Sequence, residues 1–185
     1  MHFMNQFFIV RHGESKNNLL GIDSSKLDNK DQFGLTAKGK KEAHVEAKKF
    51  NTFDLIISSP FRRAKETALI FAKTSQCEVI EHELLAEVWV GDFELCKYAE
   101  SDAFYDAHGD ESIPYPNGES LIDAQKRAVE FLEQTNQAYN SKKILIVTHG
   151  HIALFLLEYL DENFDRKQAI IDYDDTNSRK VLERL

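Results

Sequence analysis

Short continuous apolar runs, each bounded by polar residues, are the first pattern along this chain. FFIV (7–10), DLIIS (54–58) and ILIVT (144–148) read as strands buried on both faces. CEVI (77–80) reads as a weaker fourth strand and KVLERL (180–185) as a closing one. Between the runs the apolar positions recur at helical spacing. Thr36 to Phe50 carries Ala43, Ala47 and Phe50 on one face. SPFRRAKETALIFA (59–72) predicts a helix with Ser59 as N-cap and Pro60 at its first position. After YPNGES (115–120), Leu121, Ala124, Ala128, Phe131, Thr135 and Ala138 form the stripe of a long helix. Leu154, Leu157 and Leu160, with Phe155 and Tyr159, read as core packing. Strands alternating with helices predict an α/β fold with a mostly parallel sheet. No repeat or Pro/Gly-rich linker divides the pattern, so residues 1–185 are expected to form one domain.

The strand ends carry the chemistry. FFIV runs into Arg11 and His12, ILIVT into His149, and DLIISSP towards Arg63. In open α/β sheets ligands bind beyond the carboxyl ends of the strands, so these four side chains should converge on one rim. Charges placed there are either paired or meant for a ligand, because uncompensated charge near an interior is costly. Two arginines and two histidines make a receptor for a dianion, since guanidinium grips phosphate oxygens with parallel hydrogen bonds. Backbone N–H groups at the helix starts after His12 and His149 add to the grip. A neutral imidazole nitrogen is also a competent nucleophile toward phosphorus.

Composition narrows the class. The chain is 42% hydrophobic and 29% charged, as expected of a soluble globular protein. A net charge of −8 argues against a surface that coats nucleic acid. Cys77 and Cys96 have no metal or redox spacing. The start, MHFMNQFF, lacks a secretion pattern, and the longest strongly apolar stretch, Ile152 to Leu157, is too short to cross a bilayer. The expectation is a cytoplasmic protein whose partner is a small phosphorylated metabolite, with no nucleic acid and no membrane.

RHGES (11–15) with Asn18, LTAKG (35–39), SSPFRRAKETA (58–68), LLAEVWVGDFE (84–94), PNGES (116–120) and VTHGH (147–151) together resemble the histidine phosphatase superfamily, in its phosphoglycerate-mutase-like branch. The motifs run in family order over essentially the whole chain. The resemblance implies a three-layer αβα sandwich and phosphohistidine chemistry with neither metal nor cofactor. It makes His12 the nucleophile, Arg11 and Arg63 the phosphate-binding arginines, and His149 a second, cationic histidine on the phosphate. Asn18 matches a polar residue of the same pocket. Glu87 matches the general acid, chosen over Glu81, Glu83, Asp92 and Glu94, and the role asks for burial beside Val88 and Trp89. The pattern SPxxRA selects Arg63 over Arg62, which reads as a solvated helix residue. Gly13 and Gly150 follow the histidines and would let phosphate approach the backbone closely. Glu14 and Ser15 are possible contacts on the substrate side, and Asn177-Ser178 resembles a family position near the site.

Two departures bear on substrate access. Leu95 follows Phe93-Glu94 where the family often has glycine, and the polar stretch 21–35 lacks the usual short pattern. His151 invites a metal reading, yet no third ligand is evident and a structural role is expected. His2, His44, His82 and His108 read as surface, and the acidic DYDDTNS (172–178) as solvated. The function expected is metal-independent hydrolysis of small phosphomonoesters through a phosphohistidine. The alternatives are mutase-type phosphoryl transfer, a protein phosphohistidine phosphatase, and a non-catalytic phosphometabolite-binding module. Residues 88–116, rich in aromatics and acids, are expected to choose the substrate and to repel extra negative charge.

Overall fold

The computed structural model describes residues 4–50 and 52–166, and the backbone of 182–183. Five strands form one sheet: β1 (Gln6–Arg11), β2 (Leu55–Ser58), β3 (Val79–Glu81), β4 (Lys143–Thr148) and β5 (Leu182–Glu183). Their order is β3-β2-β4-β1-β5, with the first four mutually parallel and β5 antiparallel to β1. The helices are α1 (Lys16–Leu20), α2 (Ala37–Ala47), α3 (Arg62–Ser75), α4 (Tyr98–His108), α5 (Leu121–Ala138) and α6 (Gly150–Leu160).

Alternation along the strands builds the layers. Phe7, Ile9, Leu55, Ile57, Ile144 and Ile146 pack with Phe131 and Leu132 of α5 and Ile152 and Phe155 of α6. Their neighbours Phe8, Val10, Ile56, Leu145 and Val147 face the other way, onto Ala43 and Ala47 of α2 and Ala64, Ala68 and Phe71 of α3. Both faces of the sheet are therefore covered, which is why its strands read as unbroken apolar runs. The result is the expected αβα sandwich.

Some boundaries differ from expectation. The helix predicted from Ser59 starts at Arg62, with Phe61 as N-cap. Ser59 instead continues the ladder, its N–H donating to Val147 O at 2.9 Å. The helix over 36–50 stops at Ala47, while Thr36 caps it by accepting from Gly39 N at 2.9 Å. His82 is half-buried rather than on the surface, its ring 4.9 Å from that of Phe131. Helix α4 arises inside the segment expected to shape substrate access. DYDDTNS with its Asn177-Ser178 lies outside the described residues, as do His2 and all of KVLERL but the backbone of 182–183.

Candidate active site

Three strand ends meet as expected. Arg11 ends β1 and precedes His12, His149 follows β4 and leads into α6, and Arg63 lies in the first turn of α3. His12 is buried, and its Nδ1 lies 2.8 Å from Gly13 O. A carbonyl only accepts, so Nδ1 carries the proton and Nε2 keeps its lone pair. Arg63 Nε donates to that Nε2 at 3.1 Å, and Arg63 Nη2 donates to Ser24 O at 2.7 Å. Burial lowers the Arg63 pKa to about 10, with Glu87 opposing, which leaves the guanidinium charged at neutral pH.

His149 is fully buried behind the cleft wall, its ring 5.1 Å from His12 and edge-on to Phe61. Its Nε2 lies 2.7 Å from Ser59 Oγ, and its Nδ1 has no hydrogen-bond partner among the described residues. Burial, then Arg63, His12, Arg11 and Arg127, push its pKa well below the usual imidazole value. These surroundings hold the ring neutral. The cationic form that the resemblance implies needs a negative charge beside it, such as a phosphate dianion.

Gly150 faces the site: a Cβ there would stand 3.8 Å from Arg11 Cζ and 3.9 Å from Glu87 Oε2. Gly13 does not face it. Its missing Cβ would lie 2.7 Å from Gly39 O, so its smallness serves the packing of α2. Asn18 lines the cleft, its Oδ1 accepting from Ser15 N at 3.0 Å and its Nδ2 donating to the Tyr98 hydroxyl at 3.0 Å. Glu14 and Ser15 are not among the lining residues. Glu14 turns to α2 and accepts from Thr36 Oγ1 at 2.7 Å and Lys38 Nζ at 2.9 Å. Ser15 is wholly buried as the N-cap of α1.

Of the five carboxylates considered near the acid loop, Glu87 alone lines the cleft. Glu94 is a latch, accepting from Ser25 N at 2.7 Å and Asn29 Nδ2 at 2.9 Å, and Asp92 accepts from Asn117 Nδ2 at 3.0 Å. Glu87 Oε1 accepts from Val88 N at 2.9 Å and lies 3.8 Å from His151 Nδ1. The expected apolar enclosure is half realised, because Val88 is buried but Trp89 is 41% exposed. Among the described residues no three metal-ligating side chains are grouped, and His151 stands at the cleft beside Glu87 instead.

Several participants have no local signature. Arg127 of α5 donates to Leu84 O and Ala86 O (both 2.7 Å), to Glu87 O (3.1 Å) and to both Glu119 carboxylate oxygens (3.0 and 2.6 Å). Glu119 Oε1 in turn accepts from Trp89 N at 2.9 Å. PNGES reads locally as a helix start, which hides this second role of its glutamate. Ser59, Ser24, Asp23 and Tyr98 also join the site from segments far apart in sequence. Asp23, Ser24 and Tyr98 line a cleft with a volume of about 970 Å3, and Ser59 stands behind it against His149.

The arrangement can hold a tetrahedral dianion, offer it a nitrogen lone pair, and supply a carboxyl from the same cleft. Proteins of similar sequence and shape carry matching names. The chain is 35% identical over 144 residues to the "Uncharacterized phosphatase PhoE" of Bacillus subtilis (strain 168), covering 77% of this chain and 70% of that protein. It is 31% identical to the "Metal-independent phosphoserine phosphatase" of Arabidopsis thaliana, covering 80% of this chain and 65% of that protein, a little under two thirds of its length. The crystal structure of a phosphoserine phosphatase from Entamoeba histolytica in complex with 3-phosphoglyceric acid superposes with a TM-score of 0.71 at 28% identity, covering 83% and 78% of the two chains. Residues 7–179 match the family model of the histidine phosphatase superfamily (branch 1), and with that match spanning nearly all of it, the chain belongs to this superfamily.

Proposed function

We propose that this protein hydrolyses small phosphomonoesters through a phosphohistidine on His12, without a metal ion. One observation carries the reading: the bond between His12 Nδ1 and Gly13 O leaves Nε2 as the nucleophilic nitrogen, facing the guanidinium of Arg63. The Nε2 lone pair attacks phosphorus, the ester P–O bond breaks, and Glu87 delivers its proton to the departing alkoxide. Water then attacks the phosphohistidine while Glu87 takes a proton from it. Inorganic phosphate leaves, His12 regains its lone pair and Glu87 its proton. Arg11 and Arg63 stabilise charge on the transferring oxygens, and the bound dianion favours the cationic form of His149 from the other side of the cleft wall. Phosphoserine, which the Arabidopsis relative is named for, belongs among the esters to assay. The expected setting is cytoplasmic, in keeping with Cys77 and Cys96 as free thiols.

The test is phosphate release from a panel of phosphomonoesters in excess EDTA, with His12→Ala alongside. Turnover should survive EDTA and fall below detection in the variant, and rapid quenching of the native enzyme in alkaline detergent should trap on His12 a phosphate that is stable to alkali and released by acid. Activity that EDTA abolishes would overturn the mechanism. Phosphoryl exchange between phosphoglycerates that outruns phosphate release would make the enzyme a mutase, the name carried by other relatives.

A further inference from the structure

We infer that the part of the cleft beyond the phosphate end recognises a positively charged nitrogen, so that the preferred substrates are phosphomonoesters of short amino alcohols. This rests on the phosphatase reading for its phosphate end. The first observation is the inward face of α4. A helix ordinarily turns an apolar stripe to the interior. Helix α4 turns Tyr98, Ser101, Asp102, Tyr105 and Asp106 to the cleft, phenols and carboxylates at helical spacing. The same part of the cleft is lined by Ala153, Leu154 and Leu157 of α6, by Phe164, and by Asp161 and Asp165. Carboxylates, aromatic rings and apolar side chains gathered in one cleft suit an ammonium group, alkylated or not.

Asp23 and Ser24 connect this region to the phosphate end. The Ser24 carbonyl accepts from Arg63, so the pair abuts the guanidinium that faces His12. Asp23 Oδ2 accepts from Ser101 Oγ at 2.6 Å, which holds the carboxylate against α4. Ser24 Oγ is a separate sign of a ligand. It belongs to a residue of the cleft lining that is only 4% exposed, and it has no hydrogen-bond partner among the described residues. A buried hydroxyl left unmatched is costly, and a ligand N–H would satisfy it.

A carboxylate on the leaving group finds no comparable welcome. Among the described residues, the one arginine or lysine on this wall is Arg166, and its Nη2 already donates to both oxygens of Glu111 at 2.8 Å. Asp23 feels Asp102, Glu87 and Glu94 as neighbouring negative charges, and a cation between them relieves that repulsion.

The experiment compares kcat/KM of the full chain for three esters of two-carbon alcohols: phosphoethanolamine (ammonium), ethyl phosphate (neutral) and phosphoglycolate (carboxylate). p-Nitrophenyl phosphate serves as the control for chemistry at the phosphate end. Thermal-shift titrations with the same compounds read the preference without turnover. Phosphoethanolamine should exceed phosphoglycolate by at least about tenfold, with ethyl phosphate between, because like charges brought together at a site are costly. Asp23→Asn should bring phosphoethanolamine and ethyl phosphate close to parity. A native enzyme that hydrolyses p-nitrophenyl phosphate but favours the neutral or carboxylate ester would overturn the inference and leave the phosphatase reading standing. Loss of all turnover, with phosphoethanolamine still the stronger stabiliser, would sink the phosphatase reading and keep the inference. Equal stabilisation by all three esters would sink the inference.

Discussion

Single residues explain the places where this chain departs from its family's pattern. Leu95 stands where the resemblance leads one to expect glycine, and it adopts the backbone conformation that glycine favours, with φ of +66°. An L side chain in that left-handed region is strained by contact between Cβ and the backbone. Leu95 is also exposed, so it recovers little by packing. Leu95→Gly is therefore expected to stabilise the fold by about 1 kcal/mol, after the extra freedom of glycine in the unfolded chain is set against the relief. A urea midpoint at or below that of the native protein would refute this. His12, Arg11, Arg63 and Glu87 were legible as candidates because a strand end, a helix start and a motif order pick them out. Ser59 resembles a helix cap in the local sequence because nothing local reveals that His149, ninety positions on, pairs with its hydroxyl.

At the scale of elements, the loop bearing Glu87 owes its position to α5. Arg127 binds the carbonyls of Leu84, Ala86 and Glu87 and the carboxylate of Glu119, so one side chain ties the loop to the helix. Arg127→Ala should lower kcat for alkyl phosphates by about a hundredfold, within the usual worth of a positioned general acid. Turnover of p-nitrophenyl phosphate should fall much less, because its leaving group departs without a proton. An equal loss on both substrates would mean that the clamp supports the fold alone. The same change leaves Glu119 without its main partner and should destabilise the protein by about 3 kcal/mol, readable in denaturant melts. Helix α5 itself was legible from its stripe, whereas the clamp was not, since Arg127 borders that stripe at helical spacing from Ala124 and Phe131 and its partners come from loops distant in the chain.

Over the whole molecule, a buried group and a half-buried one of opposite kind give stability a pH dependence. The His149 pKa lies below its unfolded value, so as pH falls through about 6.5 the unfolded chain takes up a proton that the folded one refuses. That contribution is intact above this range and is lost as the solution becomes more acidic. Asp23 works the other way. Its pKa is raised to about 6, chiefly by burial, so its contribution is greatest at low pH and is lost as pH rises towards that value. Asp23→Asn should raise the thermal midpoint at pH 8 relative to the native protein and leave it little changed at pH 4. His149→Gln should flatten the acid limb below pH 6.5. A native-like pH profile in either variant would contradict the assignment concerned. The layered sheet and its cationic rim followed from the sequence by itself, because burial on both faces imposes unbroken apolar runs and the ends of parallel strands share one edge. Helix α4, the turning of Glu14 away from the cleft, the neutral state of His149 and the joining of Asp23 to the acids of residues 88–116 were decided by the tertiary structure alone. Each depends on groups distant in the chain, whose contact fixes burial, charge and hydrogen bonding that no local pattern records.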